Sequence, residues 1–376
     1  MLIGIDASRA NKLLKTGVEW YSWHLIQELK KLTLNDNQNS WILYTDNILK
    51  GGLEELPKSW YEVRAHWPLK KGWTQIRLSW ELWRRPTDLF FIPAHVLPRY
   101  IPKKSVVTVH DVGFKRYPNL YRARDRRFHE WSTKDIARRA DRIITVSKFS
   151  AIEISRLYNI DPQKIAITYN GVDHNLYRPI KDQDEIEDAL RRYTISQPFF
   201  VVIGRLEFKK NIINIVKAFN LFKARRGVGD PMKLVFIGSQ GYGYSEIKKE
   251  ILKSNVKNDI IQLGYVPEVD LPRILNGATA LIHASWYEGF GIPPVMAMAS
   301  GCPVLSSDSS SLPEIIGKEA GLFFPPSQIE PLANLMEKIS TDKELVKKLT
   351  IAGIHESSKY TWRNTAKTTL PVLTQW

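Results

Sequence analysis

The chain has 376 residues, 43% hydrophobic and 25% charged, with one cysteine, Cys302. That is globular composition with length for two domains or one large one; it excludes a disordered, collagenous or coiled-coil chain, an internal disulfide framework and a cysteine-based zinc site. The net charge of +15 is unevenly spread: residues 1–180 hold 30 Lys/Arg against 18 Asp/Glu, a net +12, and residues 181–376 hold 24 against 21, a net +3, so an anionic partner is expected mainly on the first half.

In chain order, short apolar runs bounded by polar or turn residues predict buried strands at Leu2–Ile5, Trp41–Tyr44, Leu89–Ile92, Val106–Val109 and Ile143–Val146. Amphipathic stretches at Val18–Lys31 and Tyr121–Arg139 predict helices between them. The second half repeats the alternation. Strands are expected at Phe199–Ile203, Leu234–Ile237, Ile260–Leu263, Ala280–Ile282 and Pro303–Leu305, and helices at Asn211–Ala224, Tyr244–Ser254, Leu271–Gly277 and Pro293–Ser300. Alternation of this kind implies parallel sheets covered on both faces, here two Rossmann-like sets in one α/β chain. The turn residues Asn170-Gly171-Val172-Asp173, Pro179 and the charged run Lys181–Asp188 place a linker near 175–195. The start, MLIGIDASR, has no basic stretch before an apolar core and does not read as a signal peptide, and no apolar run is long enough to span a membrane.

The densest chemical signal runs from Ser285 to Val304. The strand Ala280–Ile282 leads into a loop with Gly289 and Gly291, then into a helix with Pro293 and Pro294 in its first turn and Gly301 just past its end. Strand, glycine loop and helix start form a geometry that binds anions, because unpaired N–H groups and the helix dipole face the ligand. Glu288 sits in that loop, where a carboxylate suits gripping sugar hydroxyls better than phosphate. Gly204-Arg205-Leu206-Glu207-Phe208-Lys209-Lys210-Asn211 follows the strand Phe199–Ile203 and puts two cations at a strand end, where they can neutralise a pyrophosphate leaving group.

These strings resemble the retaining GT-B glycosyltransferases of family 4, whose signature carries two glutamates around Glu-Gly-Phe-Gly-x-Pro-Pro-x-Glu-Ala-Met-Ala. The chain matches the first at Glu288 and has Met296 in place of the second. The resemblance implies a GT-B fold: an acceptor-binding Rossmann-like domain over 1–178 plus 361–376, a nucleotide-sugar-binding one over 179–360, and a last helix after Tyr360-Thr361-Trp362-Arg363 crossing back to the first. It implies that Glu288 contacts the transferred sugar, that the residue at 296 meets the ribose, and that Arg205 and Lys210 hold the diphosphate and stabilise it as it leaves. It further implies donor contacts from Gly204, Gly289, Phe290, Gly291 and Ile292, and from the loop around Val266 and Leu271, which meets the base through backbone groups. Thr16-Gly17-Val18-Glu19 resembles the first domain's glycine loop, so Gly17 is expected to approach the donor phosphates. In Val106-Val107-Thr108-Val109-His110-Asp111, the resemblance places His110 beside the donor sugar, with Asp111 orienting it.

The implied activity is metal-independent, retaining transfer of a hexose, mannose first, from a nucleoside diphosphate sugar to a saccharide or lipid-diphosphate-linked saccharide in surface polysaccharide synthesis. GDP-mannose is the first expected donor, and no cofactor is implied. Two alternatives stand beside it: a non-catalytic nucleotide-sugar-binding paralogue, motivated by Met296, and a nucleotide-sugar epimerase. Trp73, Ile76, Trp80 and Trp83 fall on one helical stripe flanked by Arg77, Arg84 and Arg85, and Tyr121–Arg142 adds eight Lys/Arg. The stripe reads either as core or as a face for anionic lipid headgroups, which would place the chain in the cytoplasm, peripheral on the inner face of the cell membrane. No nucleic-acid-binding motif is present in the sequence.

Overall fold

The computed structural model describes residues 1–69, 72–94, 96–227 and 229–376. The chain divides into two compact units. The first comprises Met1–Arg116, Ala123–Gly171 and Thr361–Trp376; the second comprises Tyr117–Arg122 and Val172–Tyr360.

The first unit is built on seven strands: β1 (Leu2–Asp6), β2 (Ser40–Thr45), β3 (Trp60–Arg64), β4 (Leu89–Ile92), β5 (Ser105–Thr108), β6 (Arg142–Thr145) and β7 (Ile165–Ile167). They form one sheet in the order β3-β2-β1-β4-β5-β6-β7, with every pairing parallel. The second unit has β8 (Phe199–Ile203), β9 (Lys233–Ile237), β10 (Ile260–Gly264), β11 (Ala280–His283), β12 (Val304–Ser307) and β13 (Leu322–Phe324), in the parallel order β10-β9-β8-β11-β12-β13. The central strands are buried along their whole length because helices cover both faces: β4, β5, β8 and β11 have no exposed residue. In the second unit, Phe200, Phe219, Phe222, Phe236 and Ile282 anchor the core.

Both sheets reverse direction of strand addition at one place, between β1 and β4 in the first unit and between β8 and β11 in the second. Such a reversal leaves a crevice at the carboxyl ends of the two strands, the position where open α/β sheets take ligands. The two Rossmann-like sets expected from alternation are thus present, each a parallel sheet covered by helices. The last helix, Trp362–Thr374, belongs to the first unit. Thr361 caps it by accepting from Asn364 N, Thr365 Oγ1 donates to Tyr169 O at 2.7 Å, and Trp362 stacks on His24 at 4.7 Å.

Two expectations need correction. The stretch near 175–195 is not an open linker: Gln183–Arg192 is a helix of the second unit, capped by Asp182, whose side chain accepts from the Asp184 and Glu185 amides. The charged run hides an apolar stripe, Ile186, Ala189 and Leu190, which is buried. The change of unit falls at Gly171–Val172, ahead of the expected 178. The tryptophan stripe, in turn, is not one face. Trp73–Leu78 is π-helical before the α-helix Ser79–Arg84 begins, and the wider turn breaks the 3.6-residue register. Trp73 is buried and donates its indole N–H to Ala65 O, whereas Ile76, Trp80 and Trp83 are exposed. A core reading therefore holds for Trp73 alone.

Candidate functional site

The residues of the two chemical motifs meet at the β8/β11 crevice. β8 ends at Ile203, and Gly204 follows with φ +140°. Gly238, at the end of β9, has φ +142°, and a Cβ there would stand 2.1 Å from Gly204 O. The two strand ends can approach only as glycine. Arg205 then points outward, 60% exposed, with Nε 3.9 Å from Glu207 Oε2. A 3₁₀ turn, Phe208–Lys210, brings Lys210 back toward the crevice, and Asn211 ends it in the left-handed region at φ 57° before the helix Ile212–Arg226 starts. Asn211 Nδ2 anchors this corner on Pro326 O at 2.7 Å. Arg205, Lys210, His283 and Ser285 line one small pocket together with the ends of β8 and β11.

From the other side, β11 delivers His283, and the loop after it carries Glu288. The loop is tied down by hydroxyl groups. Ser307 Oγ donates to Ser285 O at 2.7 Å, Ser309 Oγ to Ser285 O at 3.0 Å, and Ser311 Oγ to Glu288 O at 3.0 Å; Ser310 Oγ accepts from Glu288 N at 2.9 Å. Trp286 N donates to Lys209 O at 3.0 Å and joins the two motif loops. Lys210 Nζ lies 2.5 Å from Glu288 Oε1, and His283 Nε2 is 3.3 Å from the same oxygen. Both Lys210 and Glu288 side chains are mostly buried, at 17% and 11% exposure. Burial opposes the charge on Glu288, but Lys210, Lys209 and the His283 hydrogen bond outweigh it and hold the carboxyl well below the usual range. Burial pushes the His283 imidazole down, and the Lys210 charge adds to that push against the pull of Glu288, so His283 is neutral near pH 7.

After Glu288, the loop turns through Gly289 and Phe290 to Gly291, which has φ +91° and would place a Cβ 2.6 Å from Leu312 Cδ2. The helix Ile292–Ala299 starts there with prolines and no acidic residue in its first turn. Phe290 is buried edge-on against Tyr360 at 5.4 Å, and Met296 is buried in the helix. Val266 and Leu271 are both buried, whereas Tyr265 and Val269 of the same loop are exposed; Gly264 O, at its start, accepts from Gly238 N at 2.7 Å.

Gly17 and His110 belong to the first unit. Gly17 opens the helix Gly17–Leu32 behind a capping box in which Glu19 and Thr16 bond each other, and a Cβ at Gly17 would meet nothing within 4 Å. His110 follows β5, with Nε2 3.2 Å from Pro93 O and its ring edge-on to Tyr21 at 4.6 Å; burial lowers its pKa. Asp111 Oδ1 accepts from Gly113 N at 2.9 Å and so caps the short helix Gly113–Arg116.

Sequence reasoning missed His283, the serines 307–311, and the strap Tyr117–Arg122. His283 carried the signal that singled out His110, a histidine directly after an apolar run. The serine signal was the composition of Ser306–Ser311 itself. The strap packs on the second unit, with Tyr117 near Trp286 and Tyr287 (ring centroids 6.3 and 6.2 Å apart) and Tyr121 under the Lys209 ammonium at 5.8 Å; nothing in its sequence marks that return.

Comparison with known proteins agrees with this architecture. Residues 183–356 match the family described as glycosyl transferases group 1, and residues 16–176 match glycosyltransferase family 4. The O-antigen chain mannosyltransferase B of Escherichia coli is 30% identical over 283 residues, covering 74% of this chain and 72% of that protein. Among solved structures, sucrose-phosphate synthase from Thermosynechococcus elongatus superposes with a TM-score of 0.79 at 17% identity, covering 100% of this chain and 98% of that one. Anabaena HepE, solved with UDP and glucose, gives 0.74 at 18% identity, covering 100% and 99%. On this likeness and this fold, the chain belongs to the family 4, or group 1, glycosyltransferases and has the GT-B fold.

Proposed function

We propose that the chain is a retaining hexosyltransferase of polysaccharide synthesis that moves mannose from GDP-mannose to a saccharide, free or carried on a lipid diphosphate. The observation that carries this reading is the buried Lys210–Glu288 pair at a switch-point crevice that Arg205 also lines, beside a 30%-identical mannosyltransferase relative. In this reading the bond between the sugar anomeric carbon and the β-phosphate oxygen breaks, and the acceptor hydroxyl oxygen bonds that carbon on the same face. The acceptor proton passes to the departing diphosphate, whose charge Arg205 and Lys210 stabilise in place of a metal. Glu288 and His110 hold the sugar; Gly204, Gly289, Gly291 and Ile292 approach the phosphates with backbone groups, as does Gly17; the Val266–Leu271 loop meets the base.

The test incubates the protein with GDP-mannose, UDP-glucose and a polyprenyl-diphosphate disaccharide, with separation of products. Mannosylated acceptor and released GDP are expected. Donor conversion without acceptor would instead mean an epimerase. The buried Met296 favours one second reading, a binding paralogue, which predicts a nucleotide-dependent thermal shift and no turnover.

The first unit offers a surface suited to an acceptor held at a membrane. Among the described residues no helix is long and apolar enough to cross one. Trp80 (46% exposed) and Trp83 (64%) stand on the helix Ser79–Arg84, and Arg77 and Arg84 stack on Trp80 at 4.8 and 5.4 Å. Phe128 and Trp131 are exposed on the helix Ala123–Arg139, among Arg124, Arg127 and Arg138. Aromatic rings among guanidinium groups fit an anionic bilayer surface at the cytoplasmic face. Co-sedimentation with phosphatidylglycerol vesicles, but not phosphatidylcholine, is expected, and loss in the Trp80→Ala/Trp83→Ala variant. A concentration-dependent dimer abolished by the same variant would assign the face to a second copy instead.

A further inference from the structure

We infer that His283 is a positioning residue for Glu288, holding the carboxylate in place while Lys210 turns to the diphosphate. The inference rests on the transferase reading above for its kinetic arm and on geometry alone for its spectroscopic one. His283 is 2% exposed and is the last residue of β11, fixed by pairing to β12 at Ser306. Its Nε2 lies 3.3 Å from Glu288 Oε1 and 3.3 Å from Ser285 Oγ. Burial and the neighbouring ammonium keep the ring neutral, so one nitrogen carries the proton. A carboxylate only accepts hydrogen bonds; a bare Nε2 lone pair facing it would set two acceptors against each other in a buried site. An Nε2–H tautomer avoids that clash and lets the imidazole face Glu288 with an uncharged donor, while the Ser285 hydroxyl, at the same distance, is the second group that Nε2 meets.

Lys210 and His283 meet the same carboxylate oxygen but are not equivalent supports. Lys210 hangs from a 3₁₀ turn on a four-carbon stem, and a diphosphate arriving at the β8/β11 crevice carries more negative charge than one carboxylate. Its ammonium is drawn to the phosphates when donor binds, and its hold on Glu288 weakens when the sugar must be oriented. His283 carries no charge for the phosphates to draw away and stands at the end of a paired strand, so it keeps the Glu288 rotamer through that exchange. Its role acts through Glu288, and it needs no contact with the sugar.

The experiment uses His283→Leu, which removes the donor at similar volume, and His283→Gln, which can place an amide N–H near the Nε2 position. The expected result for His283→Leu is a fall in kcat with GDP-mannose of about 10- to 150-fold, the range for a hydrogen bond to a charged group. KM for the donor and Kd for GDP and UDP by calorimetry are expected to stay within about threefold, and His283→Gln to recover most of kcat. In histidine-¹⁵N-labelled protein, the His283 signal is expected to report an Nε2–H tautomer and to shift in Glu288→Gln. Equal damage from both substitutions, a loss confined to KM, or an Nδ1–H tautomer would each overturn the inference. If the wild type turns over no sugar nucleotide, the transferase reading fails while the tautomer still decides this one.

Discussion

Replacing Lys210 by methionine isolates the interaction at the centre of the site. The variant keeps the stem and removes the ammonium 2.5 Å from Glu288 Oε1. Glu288 is then a buried carboxylate held by His283 and without its closest counter-charge. Removing one partner of a buried ion pair costs about 3–5 kcal/mol, because the remaining charge stays desolvated. The second unit, Val172–Tyr360 with Tyr117–Arg122, lies in the size range where 1 kcal/mol moves Tm by roughly 2–4 °C, so a drop of roughly 6–20 °C is expected at pH 7. The pH dependence has a definite sign. In the wild type Glu288 is held well below 4.5, so its pairing contributes stability above that value and loses it as pH falls through the depressed folded value. In the variant, burial without Lys210 favours the protonated form. The gap between wild type and variant therefore narrows as pH falls from 7 toward 4.5. The assay is calorimetric unfolding of wild type, Lys210→Met, Glu288→Gln and the double variant at pH 7 and 5. The double variant should unfold near Glu288→Gln, leaving a coupling of about 2 kcal/mol or more. A Tm change under 2 °C for Lys210→Met, or full additivity in the cycle, would refute the reasoning.

Three further outcomes follow from single positions. Gly291→Ala forces a Cβ to 2.6 Å from Leu312 Cδ2 at φ +91°; a destabilisation of about 1–3 kcal/mol in denaturant unfolding is expected, while a substitution at Gly17, where a Cβ meets nothing, leaves stability within about 1 kcal/mol. Met296→Glu introduces a carboxylate at a buried position, so Tm of the free protein should fall while calorimetric affinity for GDP or UDP rises about 10-fold or more, the effect expected if the residue at 296 meets the ribose. Burial pushes the Cys302 thiol up to about 12, so an aromatic disulfide reagent at pH 8 should label the folded protein far more slowly than the unfolded chain.

The buried strands were legible because they are apolar throughout. β4 and β8 fall at the predicted residues, and the other predicted strands are displaced by a residue or two. The strands that escaped are ones whose sequence does not advertise burial. β3 reads Trp-Tyr-Glu-Val-Arg and is mostly exposed at a sheet edge, and β7 and β13 are three residues each. The charged helix Gln183–Arg192 was hidden for the same reason: three apolar residues among seven polar ones carry its packing. At the site, Glu288 and Lys210 were recognisable from their motifs, but their direct ion pair was not. It depends on the 3₁₀ turn at Phe208–Lys210 and on a loop held by hydroxyl groups, both tertiary facts.

That ion pair also bears on how the site is prepared for its substrate. A crevice built to receive a diphosphate must keep a cation dehydrated before the ligand arrives, and a buried ammonium without a partner is costly. Glu288 supplies the partner: it holds Lys210 at the β8/β11 crevice in the free protein, and Lys210 in turn keeps Glu288 ionised. Under the function proposed above, a bound donor makes the ammonium exchange one anion for another, so its desolvation has already been met in the fold. In that reading the released carboxylate takes the sugar hydroxyls, and His283 keeps it from following the ammonium. Arg205 differs in kind: mostly exposed and only loosely near Glu207, it is solvated in the free protein, and in the proposed reading its order comes with the ligand. Substituting Arg205 should therefore leave Tm nearly unchanged while weakening GDP or UDP binding, whereas Lys210→Met should lower both.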